Sequence, residues 1–251
     1  KMKISIITVC YNSEKTLERT INSVVSQDYK NIEYIVVDGG SKDNTLNIID
    51  KYKECITTII SEKDNGIYDG INKGIQKATG DVISLIHSND MFVDENVISK
   101  IVNFFKTNPN FDIILADLAF KKKLEDKKIT RYYRAKNFRS WMLRIGYSPP
   151  HLSAFFKTDV FKKVGLYKAN FKIAGDFDYF VKCFLKHKLK FKYLEECLIF
   201  MSTGGKSGKN FLSYLISSKE INQSLKSNNI YSNIFITFLR FPFKLIQFIL
   251  R

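Results

Sequence analysis

From residue 3 to about residue 116, short apolar runs rich in β-branched residues alternate with stretches whose apolar positions recur at helical spacing. The runs at 3–9, 32–38, 56–61, 81–86 and 112–116 predict strands, since unbroken apolar runs of that length suit strands covered on both faces. Between them, 14–26, 43–53, 66–77 and 94–106 predict helices, with Ser13 and Asp43 placed as starts. Strand and helix in alternation is the pattern of a parallel sheet with crossover helices.

The pattern breaks at 117–150. Lys121-Lys122-Lys123 and Lys127-Lys128 flank a predicted hairpin, followed by Arg131-Tyr132-Tyr133-Arg134 and Trp141, and the stretch predicts an inserted edge or loop. Order returns at 153–156, then as helices over 158–163 and 177–187, a strand over 189–200, a glycine-containing loop at 203–208 and a helix over 210–225. The end of the chain, 229–251, is strongly apolar with Arg and Lys interspersed. Pro242 and two internal charges argue against a span of about 20 apolar residues and favour an amphipathic segment in a membrane interface. The alternative is packing on the rest of the chain or on a second copy in a homodimer.

Length and a 45% hydrophobic content allow one large core. A net charge of +15 with 14% aromatic residues suits nucleic acid, an anionic membrane surface or phosphate-bearing substrates, and does not choose among them. Cys10, Cys55, Cys183 and Cys197 form no C-x-x-C pair, so neither a zinc site nor a disulfide framework is expected, and a reducing cytoplasm fits. The N-terminal apolar run is too short and wrongly flanked for a signal peptide.

Ligands of open α/β sheets bind beyond the carboxyl ends of the strands. Polar residues follow the runs there: Thr8, Tyr11, Asn12 and Ser13; Asp38, Gly39, Gly40 and Ser41; Glu62 and Asp64; Ser88, Asn89 and Asp90. Each group alone is ordinary turn and cap chemistry; four on one rim point to a site. No G-x-G-x-x-G precedes Asp38, which argues against a dehydrogenase, and Gly204-Gly205-Lys206-Ser207 lacks the first glycine of a P-loop.

Taken together, Ile4-Ser5-Ile6-Ile7-Thr8-Val9 with Tyr11-Asn12, Asp38-Gly39-Gly40-Ser41, and Asp64-Asn65-Gly66-Ile67-Tyr68-Asp69-Gly70-Ile71-Asn72-Lys73-Gly74 resemble family 2 glycosyltransferases. So do Pro149-Pro150-His151 and Ile173-Ala174-Gly175-Asp176-Phe177-Asp178-Tyr179, in the same order along the chain. The resemblance implies a GT-A fold, a Rossmann-like mixed α/β sheet flanked by helices, and an inverting transfer from a nucleotide-diphosphate sugar, most often a UDP-sugar. It divides the chain into a catalytic domain at 1–228, with a nucleotide-binding half to 116 and an acceptor half after it, and a tail at 229–251.

By position, the resemblance implies that Thr8 and Asp38 hold the base, Asp64 lies beside base and ribose, and Asp69 with Lys73 lies near the diphosphate. Tyr11, Asn12, Gly39 and Asn89 line the donor site, and Asp176 is the catalytic base. The family's metal motif aligns with Ser88-Asn89-Asp90, which retains one acid, so Asp90 is the expected ligand of Mn²⁺ or Mg²⁺. His151 is expected at donor phosphates or acceptor, or as a structural side chain. Lys206 sits in a candidate lid or in a plain surface turn. The expected acceptor is a glycan, lipid-linked in surface polysaccharide synthesis, at the cytoplasmic face of an anionic membrane. Nucleic acid is not an expected partner. The rival readings are a nucleotidyltransferase of related fold, which lacks its usual early glycine-rich Arg loop here, and a non-enzymatic basic nucleic-acid-binding protein.

Overall fold

The computed structural model describes residues 1–203 and 211–242. Ile4, Ile6, Ile7 and Val9 of β1 (Ile4–Cys10) are buried on both faces of the strand, so the sheet around it must be covered by helices on each side. β1 runs parallel to β2 (Ile32–Asp38) and to β4 (Val82–Leu85), and β2 runs parallel to β3 (Thr58–Ser61). This half matches the expected alternation, with α1 (Leu17–Val25), α2 (Thr45–Lys51) and α3 (Ile67–Lys77) as its helices.

The second half departs from an all-parallel sheet. β8 (Ala154–Lys157) inserts antiparallel between β4 and β6 (Ile113–Lys121), and β9 (Phe191–Ser202) runs parallel to β6. A third antiparallel pairing joins β9 to β5 (Asp90–Phe92). The order is β3-β2-β1-β4-β8-β6-β9-β5. Ala154, Phe155 and Phe156 are wholly buried, which suits an interior strand, but a four-residue apolar run carries no mark of its direction. The hairpin expected near the lysine clusters is present: β6 continues to Lys121 and pairs with β7 (Ile129–Tyr133).

Beyond these strands lie α4 (Val97–Thr107), α5 (Thr158–Val164), α6 (Gly175–Phe180), α7 (Phe211–Ser227) and α8 (Ile234–Phe238). The helix predicted over 177–187 is α6 followed by a π-helical turn at Val181–Lys186. Its Tyr179 and Phe180 enter an aromatic cluster with Phe156, Phe161 and Tyr167, in which Tyr167 and Tyr179 stack at 4.1 Å. Of the tail, 229–242 is described; the remainder and the loop at 204–210 with Lys206 lie outside the described residues. No described helix is long and apolar enough to cross a membrane.

The two ends of the parallel strands are chemically distinct. At the amino end, Glu33 accepts from Lys3 Nζ (2.7 Å), Ser5 Oγ (2.6 Å), Thr79 N (2.7 Å) and Thr79 Oγ1 (2.5 Å). Burial alone would raise its carboxyl; these hydrogen bonds overcome it and bring the carboxyl down to about 2. The carboxyl end gathers the residues of the site.

Candidate active site

Three strand-end loops are tied into one rim. Asn12, held at φ +48°, donates its N–H to Ser41 Oγ (2.8 Å) and accepts from Lys42 N at Oδ1 (2.9 Å). Ser13 shares a hydrogen bond with Ser88 (2.8 Å) and receives support from Thr45, whose Oγ1 accepts its N–H (2.7 Å). Tyr11 on the same loop is half exposed, and Asn89 is exposed beside Ser88.

Asp38 is wholly buried and its carboxylate is occupied by this loop. It accepts from Gly40 N, Ser41 N, Ser41 Oγ and, at 2.9 Å, Ser61 Oγ. The side chain therefore shapes the turn at 39–41. Thr8 is likewise wholly buried, with its hydroxyl paired to Tyr34 at 3.1 Å beneath the rim.

Asp64 reaches over this turn. Its Oδ1 accepts from Gly66 N at 3.0 Å, while a Cβ on Gly39 would lie 2.4 Å from its Oδ2. Only glycine at 39 lets that carboxylate approach the backbone so closely. Burial, reinforced by Asp38, Asp43 and Asp64, pushes the Cys10 thiol far up, which marks how acidic this corner is. Such a corner would receive hydroxyls, amide donors or a cation, and would repel a bare anion.

Helix α3 joins the two halves of the site. One of its faces carries Asp69, which accepts from Asn65 N (3.0 Å), and Lys73, which bridges Glu62 at 2.9 Å and Asp69 at 3.7 Å. The hydrogen bond to Glu62 keeps the Lys73 ammonium above its usual range despite desolvation. The other face carries Tyr68 and Asn72, one turn apart. Asn72 clamps the backbone of Tyr167 with two hydrogen bonds, 2.8 and 2.9 Å. Tyr68 donates to Ile173 O (2.7 Å) and accepts from Asp176 N (3.3 Å). A Cβ on Gly175 would sit 2.6 Å from the Tyr68 ring, so the ring fixes how α6 begins.

Asp176 is half buried in the first turn of α6, where its Oδ1 accepts from Phe177 N at 2.7 Å. From the far side, Glu220 of α7 accepts from three successive backbone N–H groups, Lys172, Ile173 and Ala174, at 2.8, 2.9 and 2.8 Å. Asp178, wholly buried, points away from Asp176 and binds Ser224 Oγ (2.8 Å), Asn228 Nδ2 (3.0 Å) and Lys168 Nζ (3.3 Å). Tyr68, Asn72 and Glu220 escaped the sequence reading. Tyr68 and Asn72 lay inside the quoted motif at i and i+4, a spacing that marks a shared helix face, whereas Glu220 offers no local signal.

Asp90 stands in strand β5 rather than at a helix start, and its carboxyl is deeply buried. Burial pushes it up to about 8, only partly offset by the His87 backbone N–H. The neighbouring imidazoles are neutral for the same reason: His87 falls to about 4, and His151 to about 3 with His87 adding to the effect. His151 is bound to Tyr167 Oη at 2.8 Å within the aromatic cluster, while His87 Nδ1 is buried without a hydrogen-bond partner. Among the described residues no group of three or more His, Cys, Asp or Glu side chains is placed to hold a metal. The chain thus offers at this edge the single buried carboxyl of Asp90, with the imidazole of His87, its Nδ1 buried, three residues before it.

A mixed α/β sheet flanked by helices, with carboxylates gathered beyond the ends of its parallel strands, is the GT-A fold. The chain shares this fold with Staphylococcus aureus TarS 1-349 in complex with UDP-GlcNAc, at TM-score 0.69 and 18% identity over 89% of this chain and 66% of that one. A mannosyltransferase from Pyrobaculum calidifontis in complex with GDP-Man and Mn²⁺ matches at TM-score 0.66 and 14% identity, over 90% of this chain and 64% of that chain. The chain spans 40% of a longer TarS chain.

The chain belongs to glycosyl transferase family 2, whose profile it matches over residues 5–165. An uncharacterised glycosyltransferase of Mycobacterium tuberculosis is 29% identical over 184 residues, 72% of this chain and 69% of the relative. A PGL/p-HBAD biosynthesis glycosyltransferase of Mycobacterium bovis is 24% identical over 76% of this chain and 73% of its own length.

Proposed function

We propose that the protein transfers a sugar, with inversion, from a UDP-sugar to a hydroxyl of a lipid-linked glycan during surface polysaccharide synthesis. The observation that carries this reading is α3: one helix holds Asp69 and Lys73 on the rim and, through Tyr68, the start of the helix bearing Asp176. Family membership supports a glycosyltransferase over the nucleotidyltransferase and nucleic-acid-binding alternatives. The complexes of TarS with UDP and UDP-GlcNAc support the choice of donor. The relative in PGL/p-HBAD biosynthesis supports a glycan-building role.

In an inverting transfer the acceptor oxygen attacks the anomeric carbon as the bond to the diphosphate breaks on the opposite face. Asp176 takes the proton of the acceptor hydroxyl, and the nucleoside diphosphate departs with the bonding pair. Tyr68 and Glu220 hold the backbone on which that carboxylate stands. Asp64 receives ribose or base donors over Gly39, with Tyr11, Asn12 and Asn89 along the same rim. Asp38 and Thr8 act beneath them by shaping the turn and floor, and Lys73, paired with Glu62 and Asp69, lies toward the diphosphate. His151, held by Tyr167, supports the acceptor side.

Asp90, with its carboxyl deprotonated on binding, would suit a hard divalent cation that obtains its remaining oxygens from a diphosphate and water. Mn²⁺ or Mg²⁺ bound there would neutralise charge on the leaving group. Structures with Mn²⁺ in the mannosyltransferase and in glucosyl-3-phosphoglycerate synthase of Mycobacterium tuberculosis support this choice.

The test is nucleoside diphosphate release from a panel of UDP-, GDP- and dTDP-sugars with Mn²⁺, using wild type and Asp176→Asn. A base of this kind contributes about 10²–10⁴-fold. Release from one donor class, lowered at least about 100-fold in Asp176→Asn with unchanged nucleotide binding, is expected. Equal turnover in the variant would remove Asp176 from the chemistry.

A further inference from the structure

β6 reaches past its neighbours at the end of the sheet where the site lies. It runs antiparallel to β8, and β8 antiparallel to β4, so β6 points the same way as β4 and β1. Ile83 of β4 and Ile113 of β6 both face Phe156, which sets Leu85, the last residue of β4, level with Leu115. From Ala116 to Lys121, β6 therefore extends beyond the end of β4 by about 20 Å at the rise of an extended strand. Asp90, Met201, Phe120 and Arg131 are paired in one row across β5, β9, β6 and β7, so the base of the β6–β7 hairpin lies about 14 Å from the backbone of the candidate metal ligand, on the same sheet face.

The tip of the hairpin, residues 122–128, is held in shape by its own acids. Asp126 accepts from Lys123 N at 2.9 Å and donates its N–H to Lys123 O at 3.1 Å, Glu125 pairs with Arg19 of α1 at 2.5 Å, and Leu124 is buried as an anchor. At the base, Thr203 N donates to Lys121 O at 2.7 Å, and the Lys121 ammonium and Arg131 guanidinium lie over the rings of Phe200 and Phe120, each at 3.9 Å. Both acids of the tip are thus engaged within the fold. Lys122, Lys123, Lys127 and Lys128 are exposed, and among the described residues none of the four is in an ion pair.

A charge run on a loop is ordinarily solvated surface. Here the turn uses its own acids internally and stands beside the site, so the lysines present an uncompensated positive field at the rim. Charge is also divided along that rim. β2 and β3 lead into Asp38, Asp43 and Asp64, whereas the hairpin stands on the other side of β4 in the order of the sheet.

We propose that the β6–β7 hairpin holds a negatively charged glycan acceptor, a polysaccharide bearing carboxylate or phosphate groups that meet Lys122, Lys123, Lys127 and Lys128. Several lysines spread over one tip suit a chain of repeated charges, each contact adding to the last. A membrane surface fits the tip less well, because its single large apolar side chain, Leu124, is buried and leaves nothing to insert. The inference rests on the glycan-acceptor reading and deepens it by giving the acceptor its charge.

The experiment is fluorescence anisotropy of end-labelled oligosaccharides of matched length, alginate and phosphomannan as the anionic glycans and dextran as the neutral one, titrated with the full chain at low and high salt. Wild type is compared with the hairpin variant Lys122→Gln/Lys123→Gln/Lys127→Gln/Lys128→Gln. A control variant, Lys30→Gln/Lys77→Gln/Lys163→Gln/Lys186→Gln, removes the same charge from exposed lysines elsewhere. Wild type is expected to bind at least one anionic glycan about tenfold tighter than dextran, with an affinity that falls as salt rises. The hairpin variant is expected to lose about tenfold, and the control about twofold at most. Melting temperature and UDP binding with Mn²⁺ are expected to be the same in all three proteins.

Equal losses in the two variants would reduce the effect to overall charge and overturn the hairpin as the site. Equal affinity of wild type for dextran and the anionic glycans, with UDP still bound, would overturn the charge of the acceptor and leave the glycosyltransferase reading standing. A wild type that binds neither UDP nor any glycan would remove both. Binding of wild type but not the hairpin variant to phosphatidylglycerol vesicles, with no binding of either anionic glycan, would assign the hairpin to the membrane and overturn the proposal.

Discussion

At the scale of single residues, the carboxylates at the two ends of the sheet do unlike work. Glu33 stands early in the run at 32–38, and Asp38, Asp64 and Asp90 come at or just after the ends of such runs. Burial and partners separate them: Glu33 is saturated by hydrogen bonds at the amino end, Asp38 by its own turn, and Asp90 by none comparable. For Glu33 the folded carboxyl titrates near 2 against 4.5 unperturbed, so its stabilisation is complete above about pH 4.5 and is lost as pH falls toward 2. Melting temperature measured across that window should drop more steeply for wild type than for Glu33→Gln. Gly39→Ala should displace the Asp64 carboxylate by steric contact alone, weakening nucleotide affinity about tenfold while the melting temperature changes little. Unchanged affinity would take Asp64 away from the donor. The reach of Asp64 over Gly39 was legible only as two neighbouring motifs, because the contact joins loops that no local pattern links.

At the scale of elements, α3 was legible in full, since its apolar spacing and the dense motif around it coincide. The antiparallel insertion of β8 and the short β5 were not, because their pairings span much of the chain and strands this short carry little periodicity. The same distance in sequence hid the bracket around α6, where Tyr68 of α3 and Glu220 of α7 hold its approach from two sides. Tyr68→Phe removes one hydroxyl and should cost about 1 kcal/mol of stability. Glu220→Ala leaves three backbone donors without their acceptor and should cost about 2 kcal/mol or more. Because both act on the placement of Asp176, both should lower kcat for transfer with little change in donor KM. Glu220→Gln, which keeps one acceptor oxygen, should recover part of the loss. Steady-state kinetics beside denaturant titration separates this from simple destabilisation: a fall in KM-independent turnover that Glu220→Gln does not relieve would leave Glu220 a purely structural brace.

At the scale of the whole molecule, the division of labour follows the sheet. The parallel half carries the strand-end carboxylates, the mixed half carries Asp176, and α3 touches both, so the proposed donor and acceptor sides divide along the sheet. The +15 charge names no partner by itself. Asp90 offers a check on the cation: Asp90→Asn should bind UDP in the absence of metal as wild type does, but lose the increment that Mn²⁺ adds. The most direct test of the account is a calorimetric titration of UDP, GDP and dTDP, each with Mn²⁺, into wild type and Asp64→Ala. The account predicts saturable one-to-one binding of UDP to wild type and at least about tenfold weaker binding to Asp64→Ala. Heat from none of the three nucleotides, or equal affinity in the two proteins, would contradict the rim as the donor site.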